Sequence, residues 1–272
     1  MTEHAGVARV AEAFARAAAD GRRAALMPYL MGGFPDLETS LAVGNAYVDG
    51  GADVVELGVP FSDPLADGPV IHAAATAALA AGATLPAVLK LGRELSRRVP
   101  VILMCYANPL YVRGIDRALD LLVEAEISGL IVPDLPLEEA GEIWAGCSAR
   151  ELAFVPLVAP TTPAARMAAV GGTARGFLYV VGVTGTTGER AGAGEGRREL
   201  LAAARASTMA PVALGFGIST PEQAAAAAAD GADGVIIGSR LVRAAGEAAR
   251  PADAVRELVG AFATALAAPP AA

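Results

Sequence analysis

Short apolar runs alternate along the chain with helix-length amphipathic segments, and Gly, Pro, Asp and Ser gather at the joins. After an Ala-rich opening segment that predicts a helix over 5–19, eight strand-like cores follow: AALMPYLM (24–31), DVVELG (53–58), PVILMCYA (100–107), GLIVPD (129–134), LAFVPLVA (152–159), GFLYVVG (176–182), PVALGFG (211–217) and DGVIIGS (233–239). Their near-continuous apolar character is that of strands covered on both faces, and the crossovers between them point to a parallel sheet. Eight such α/β units close naturally into a (β/α)8 TIM barrel. The longest gap, between the second and third cores, leaves room for an extra helix around 69–81, while the glycine-rich TGTTGERAGAGEG (184–196) reads as a mobile loop. No linker or change of composition divides residues 1–272, so one barrel domain is expected.

Composition removes several function classes. With 29 acidic against 21 basic residues and a net charge of −8, the chain lacks the electrostatic footprint of a nucleic-acid or anionic-membrane binder. Apolar runs such as 261–268 fall short of the ~18 residues of a membrane span. The start carries acidic residues and no compact apolar block, so no signal peptide is visible and a cytoplasmic address is expected. Two cysteines, Cys105 and Cys147, and two histidines, His4 and His72, are too few for a disulfide framework or a multi-histidine metal site, so no metal is expected. The one lysine, Lys90, lies in the amphipathic LPAVLKLGRELSRR, where a surface position is expected rather than a Schiff base. Catalysis would then draw on carboxylates, tyrosine hydroxyls, backbone amides and arginine.

Barrel enzymes assemble their sites from the loops after the strands, which makes polar residues there candidates. Glu56 interrupts a strand otherwise built of Val and Leu, and a carboxylate in that setting must be hydrogen-bonded, paired, or left with a raised pKa. A structural salt bridge inside the barrel and a catalytic role both fit. Asp63 and Asp67 follow in the loop PFSDPLADGP, where each can also be a turn former. Further on, GFGIST (215–220) reaches a helix start at Ser219 or Thr220, and GSR (238–240) opens another helix. Glycine-rich helix starts after the last two strands of a barrel suit a phosphate dianion, although tight turns would use the same glycines.

The stretch GADVVELGVPFSDPLADGPVI (51–71) closely resembles the signature region of the tryptophan synthase alpha chain family. The likeness extends through PYLMGGFP (28–35), MCYANPLY (104–111), IVPDLPLEE (131–139), GFLYVVGVTGTTG (176–188), GFGIS (215–219) and IIGS (236–239), over nearly the whole chain. It implies a lyase that cleaves indole-3-glycerol phosphate to indole and glyceraldehyde 3-phosphate in tryptophan biosynthesis. It also implies no cofactor in this chain and a PLP-containing beta chain as partner, in an alpha-beta-beta-alpha complex. A stand-alone indole-3-glycerol phosphate lyase and a non-catalytic alpha-type regulatory subunit are the alternatives. An epimerase or thiamine-phosphate-synthase-like barrel would share the glycine loops but not the VELGVPFSDPLADGP block.

Residue by residue, the resemblance makes Glu56 a proton shuttle and Asp67 the carboxylate that holds the indole N–H, with Tyr179 as an active-site hydroxyl. Thr187 and Gly188 fall in the closing loop, in the GTTG at 185–188 that keeps the spacing from Tyr179. Phosphate contacts map to Gly188, Phe216, Gly217, Gly238 and Ser239. Tyr29, Met104, Ile131 and Phe216 fall where the family lines its apolar indole pocket, although ordinary barrel core would use the same residue types. Met31, Phe34 and Pro133 depart from the family's pattern and bear on pocket shape.

Overall fold

The computed structural model describes residues 5–182 and 193–267. The chain opens with α1 (Gly6–Ala19), β1 (Ala25–Met31), α2 (Leu37–Asp49) and β2 (Val55–Gly58). Two helices, α3 (Pro69–Ala80) and α4 (Leu85–Ser96), then precede β3 (Val101–Met104), so the extra helix expected around 69–81 is α3. Next come α5 (Ala107–Tyr111), α6 (Ile115–Glu124), β4 (Gly129–Ile131), α7 (Gly141–Ala149), β5 (Ala153–Phe154) and β6 (Leu157–Val158). The last part comprises α8 (Ala164–Gly171), β7 (Leu178–Val181), α9 (Ala193–Ala206), β8 (Val212–Gly215), α10 (Pro221–Ala229), β9 (Gly234–Ile237), α11 (Ser239–Glu247) and α12 (Pro251–Ala267).

All strand pairings are parallel, in the order β5-β4-β3-β2-β1-β9-β8-β7-β6. The two ends of that order are consecutive pieces of one chain run, the fifth core of the sequence. Pro156, which has no N–H to give, stands in the break between them. On one side of the break the Val155 amide donates to the Leu130 carbonyl at 3.0 Å, and on the other Tyr179 donates to Pro156 at 3.0 Å. The sheet is therefore closed, and the eight expected strands form a barrel with its fifth stave split in two. Every residue of β1 is buried, as expected of a strand covered on both faces.

The barrel's two ends are built differently. At the end where the strands begin, α1 lies across the mouth, and its Val10 and Ala13 join Met27, Val54, Ile102, Phe177 and Ala213 in the interior core. The Arg9 guanidinium fastens the helix by donating to the Ser96 and Glu126 carbonyls. Aspartates cap the strand starts there: Asp53 accepts from the Leu26 amide at 2.8 Å and Asp233 from the Val212 amide at 2.7 Å, each also paired with an arginine, Arg22 or Arg205. At the opposite end, β1 is in register with β9 up to Pro28 and with β2 from Tyr29 onward.

One boundary differs from expectation. Ala193–Gly196, read as part of the glycine-rich loop, begin α9, and Arg197 and Arg198 of that helix both pair with Asp230. The pattern AGEGRRELL continues into a helix whose arginines find a carboxylate on the neighbouring unit, which offsets the helix cost of its glycines. The rest of that loop, with Thr187 and Gly188, lies outside the described residues.

Asp53 provides a test of the capped end. Its side chain is 13% exposed, so Asp53→Ala strips a buried acceptor from the Leu26 amide and from Arg22. Urea unfolding should show a loss of about 2 kcal/mol, the cost of leaving such groups unsatisfied, with no direct effect at the distant cavity.

Candidate active site

Glu56 is the side chain from which the site is built. Its place on β2, opposite Tyr29 on β1 and Ile102 on β3, points it into the barrel, where it is 1% exposed. Its Oε2 atom has no hydrogen-bond partner among the described residues, and no cation there pairs with it. The structural salt bridge left open by the sequence is thus absent among the described residues. Loss of hydration alone pushes its pKa up to about 8, so at neutral pH this carboxyl holds a proton it can give away.

Two tyrosines flank it, each seated by a glycine on the next strand. A Cβ at Gly58 would overlap the Tyr29 hydroxyl, and one at Gly215 would overlap that of Tyr179. Neither ring could sit where it does beside any larger residue. Burial first, then the neighbouring carboxylates Asp67 and Glu56 for Tyr29, and Glu56 for Tyr179, raise both phenols' pKa values. They stay neutral hydrogen-bonding groups at physiological pH.

Asp67 stands across the cavity on the loop after β2. Burial raises its pKa, opposed by the Tyr106 hydroxyl and by the charge of His72. Tyr106 also stacks on Phe61, with ring centroids 5.2 Å apart, and its hydroxyl accepts from the Ala66 amide at 3.0 Å. It ties the loop down just before Asp67. Sequence reasoning passed over Tyr106, although it stands in the quoted MCYANPLY, because nothing local shows which loop its hydroxyl will meet. Asp63 behaves differently: it is exposed, and its carboxylate accepts from the Ser62 hydroxyl at 2.7 Å.

Opposite the carboxylates lies a backbone cradle. Phe216 adopts φ +69°, strained for a residue with a side chain, and Gly217 φ +78°. The helix start expected at Ser219 or Thr220 is self-capped, because Gln223 Oε1 accepts from both of those amides at 2.7 and 3.2 Å. The other expected helix start remains open. At α11 the Leu241 and Val242 amides turn back onto the Gly238 carbonyl, so Ser239 and Arg240 present the helix's leading N–H groups. Such a terminus favours an anion.

The cavity that joins these groups has a volume of about 520 Å3 and is lined by Tyr29, Glu56, Asp67, Tyr179, Gly217 and Ser239, among others. A second cavity of about 480 Å3 continues from it past Asp67, Met104 and Phe216, between Pro133, Leu157 and Val181. Both chambers are mainly apolar; the backbone cradle and Glu56 belong to the first, and Asp67, Met104 and Phe216 are shared by the two. Ile131 lines neither: strand alternation turns it into the fully buried interior core beside Ile102 and Val155. Met31 packs beneath α3 against Ala74 and Ala78, and Phe34 packs near Gly246, so of the three departures Pro133 alone touches a cavity. Lys90 is exposed on α4. No cluster of His, Cys, Asp or Glu suited to a metal ion occurs among the described residues, and no single helix there is long and apolar enough to cross a membrane.

A closed barrel with a neutral carboxyl, a second carboxylate and an anion cradle around one cavity at the C-terminal ends of its strands has the layout of a (β/α)8 enzyme working by proton transfer. Comparison with known proteins narrows that class. The profile of the tryptophan synthase alpha chain family matches residues 14–268. A tryptophan synthase alpha chain from Prochlorococcus marinus (strain MIT 9313) is 51% identical over 238 residues, 87% of this chain and 86% of the relative. A structure of Mycobacterium tuberculosis tryptophan synthase superposes with a TM-score of 0.87 at 37% identity, covering 96% of this chain and 99% of that one. Tryptophan synthase subunit alpha from Legionella pneumophila str. Paris gives 0.86 at 35%, with coverage of 95% and 98%. The chain belongs to the tryptophan synthase alpha chain family.

Two measurements check the site's electrostatics. The Glu56 carboxyl has a folded-state pKa of about 8 against an ordinary 4.5, so its burial costs nothing below the lower value and most above the higher. Glu56→Gln should therefore be more stable than the wild type at pH 8, on the order of a few kcal/mol, and the gap should close by pH 4. Equal melting curves at both pH values would contradict the assignment. Tyr106→Phe keeps the ring stacked on Phe61 but removes the hydroxyl beside Asp67. The acid limb of the activity profile should move to higher pH, with turnover down about tenfold, the worth of one hydrogen bond to a charged group.

Proposed function

We propose that this chain cleaves indole-3-glycerol phosphate to indole and glyceraldehyde 3-phosphate, acting as one barrel unit. The observation that carries the reading is the unpartnered, buried Glu56 in the cavity that also holds Asp67 and the backbone cradle. The phosphate is held by the Phe216–Gly217 turn and the Gly238–Ser239 helix start; the family resemblance adds Gly188, which lies outside the described residues. The indole ring lies in the chamber of Met104, Pro133 and Leu157. Asp67, which borders both chambers, accepts a hydrogen bond from the ring N–H and balances the positive charge that develops there.

The steps then balance. Glu56 gives its proton to C3 of the indole ring, and the ring becomes an indoleninium cation. The resulting carboxylate takes the proton of the C3′ hydroxyl, that oxygen's electrons form the aldehyde, and the electrons of the C3–C3′ bond return to the ring. Indole leaves with Glu56 protonated again. The ring is its own electron sink, so no cofactor is assigned to this chain. Tyr179 bounds the reacting end as a neutral hydroxyl, and phosphate binding supplies the orientation.

A beta chain carrying PLP is the partner proposed, and the exposed side of the same barrel face supports it. Leu65 is 89% exposed beside Asp63, and Tyr111 and Val112, just after β3, are 46% and 76% exposed. Apolar side chains so placed around a cavity mouth suit coverage by another protein. Docking there would carry small, apolar indole from one site to the next.

Indole release from indole-3-glycerol phosphate, with and without a cognate beta chain, is the deciding assay. Turnover should follow a bell, rising as Asp67 ionises and falling as pH passes the Glu56 value of about 8. Glu56→Gln should lower it by ~10²–10⁴, as loss of an acid–base group does. Asp67→Asn should be severely impaired, while exposed Asp63→Asn retains most activity in the isolated chain. No indole release from the wild type in either condition would overturn the reading.

A further inference from the structure

We propose that Arg240 is a substrate-binding residue, its guanidinium pairing with the phosphate of the ligand in the cavity. The assignment rests on the phosphate reading above and deepens it. Arg240 is half-buried at the second position of α11, directly after Gly238 and Ser239, and it lines the first cavity. Among the residues lining the two cavities it is the one basic side chain, against Glu56 and Asp67.

Like Arg16 and Arg243 it has no side-chain partner among the described residues, and of these three it alone lines one of the two cavities. Arg22 pairs with Asp53, Arg175 with Glu151, Arg197 with Asp230 and Arg205 with Asp233, whereas no carboxylate or carbonyl among the described residues takes the Arg240 guanidinium. The cavity also holds a second unsatisfied group, the buried Oε2 of Glu56, which shows that its polar atoms are set for something other than one another.

Charge balance supplies the reason. A phosphate dianion approaching this site meets a protein of net charge −8 and, inside, the Asp67 carboxylate. Backbone amides at one helix start offer only about half a positive charge. A guanidinium beside them supplies a full charge and a planar fork of donors matched to phosphate oxygens, at the end of the cavity where the helix already favours an anion. It would also attract the substrate from solution against the overall field, an effect that salt screens.

Calorimetric titration of glycerol 3-phosphate into the full chain tests this without relying on turnover. Arg240→Gln should weaken binding about tenfold at low salt and Arg240→Lys less. The difference should shrink as ionic strength approaches about 0.2 M, where exposed charges are screened, and matched melting temperatures should show that both variants fold. The KM for indole-3-glycerol phosphate should rise by the same factor, with kcat changed much less. Equal affinity in all three proteins would overturn the assignment and leave the proposed reaction intact. A wild type that binds glycerol 3-phosphate through Arg240 but releases no indole would overturn the reaction and leave Arg240 in place.

Discussion

A carboxyl group taken out of water and given no partner is the constraint on which the rest of the molecule turns. An isolated buried carboxylate is costly enough that Glu56 holds its proton to a pKa of about 8 instead. That state exists only because β2 is enclosed by neighbouring strands and by tyrosine rings whose hydroxyls do not reach its Oε2 atom. The glycines at 58 and 215 matter for the same reason. Each admits a ring that fills space beside Glu56, and a methyl group at either position would push that ring aside. The neutral acid is thus a product of packing across four strands, and no single residue confers it.

The two ends of the barrel divide stability from chemistry. At the end closed by α1, aspartates on strand starts are satisfied by amides and arginines, and apolar side chains fill the interior. At the other end stand the unsatisfied Oε2 of Glu56, a non-glycine residue at positive φ, exposed leucine and valine, and an arginine without a partner. Each is unfavourable by itself, and all lie at the end of the barrel that holds the cavity. A fold can carry such features only where the opposite end supplies the margin.

Much of this was legible in the sequence because parallel barrels write their strands as apolar runs with polar residues at the ends. All eight cores appear where the runs lie, and Glu56, Asp67, Tyr179, Phe216, Gly217 and Ser239 converge on one cavity. What the sequence left open shares a cause, which is that a side chain's direction and partner are tertiary facts. Ile131 is one residue type among many on an apolar strand, and only register decides that it faces the core. Ser219 and Thr220 looked like an anion site until Gln223 occupied their amides. Pro156 gave a visible sign that the fifth strand would break, yet the break became meaningful only when its halves were found on opposite neighbours. Tyr106 was invisible as a functional residue because its hydroxyl acts on a loop 40 positions earlier.

Burial of Glu56 also bears on the order of events in the proposed reaction. The loss of hydration that makes it a reluctant acid makes its conjugate carboxylate a strong base, since one pKa describes both. Giving a proton to the ring therefore creates a cation and an anion together in a site with little water to screen them. In that reaction Asp67 at the ring nitrogen would stabilise the first, and the C3′ hydroxyl would relieve the second by giving up its proton. The carboxylate is driven to take that proton quickly, and in doing so it breaks the carbon–carbon bond. Had Glu56 been paired with an arginine, its proton would have been lost before substrate arrived and its basicity lost afterwards. The missing partner would thus allow one residue to perform both transfers of the proposed reaction.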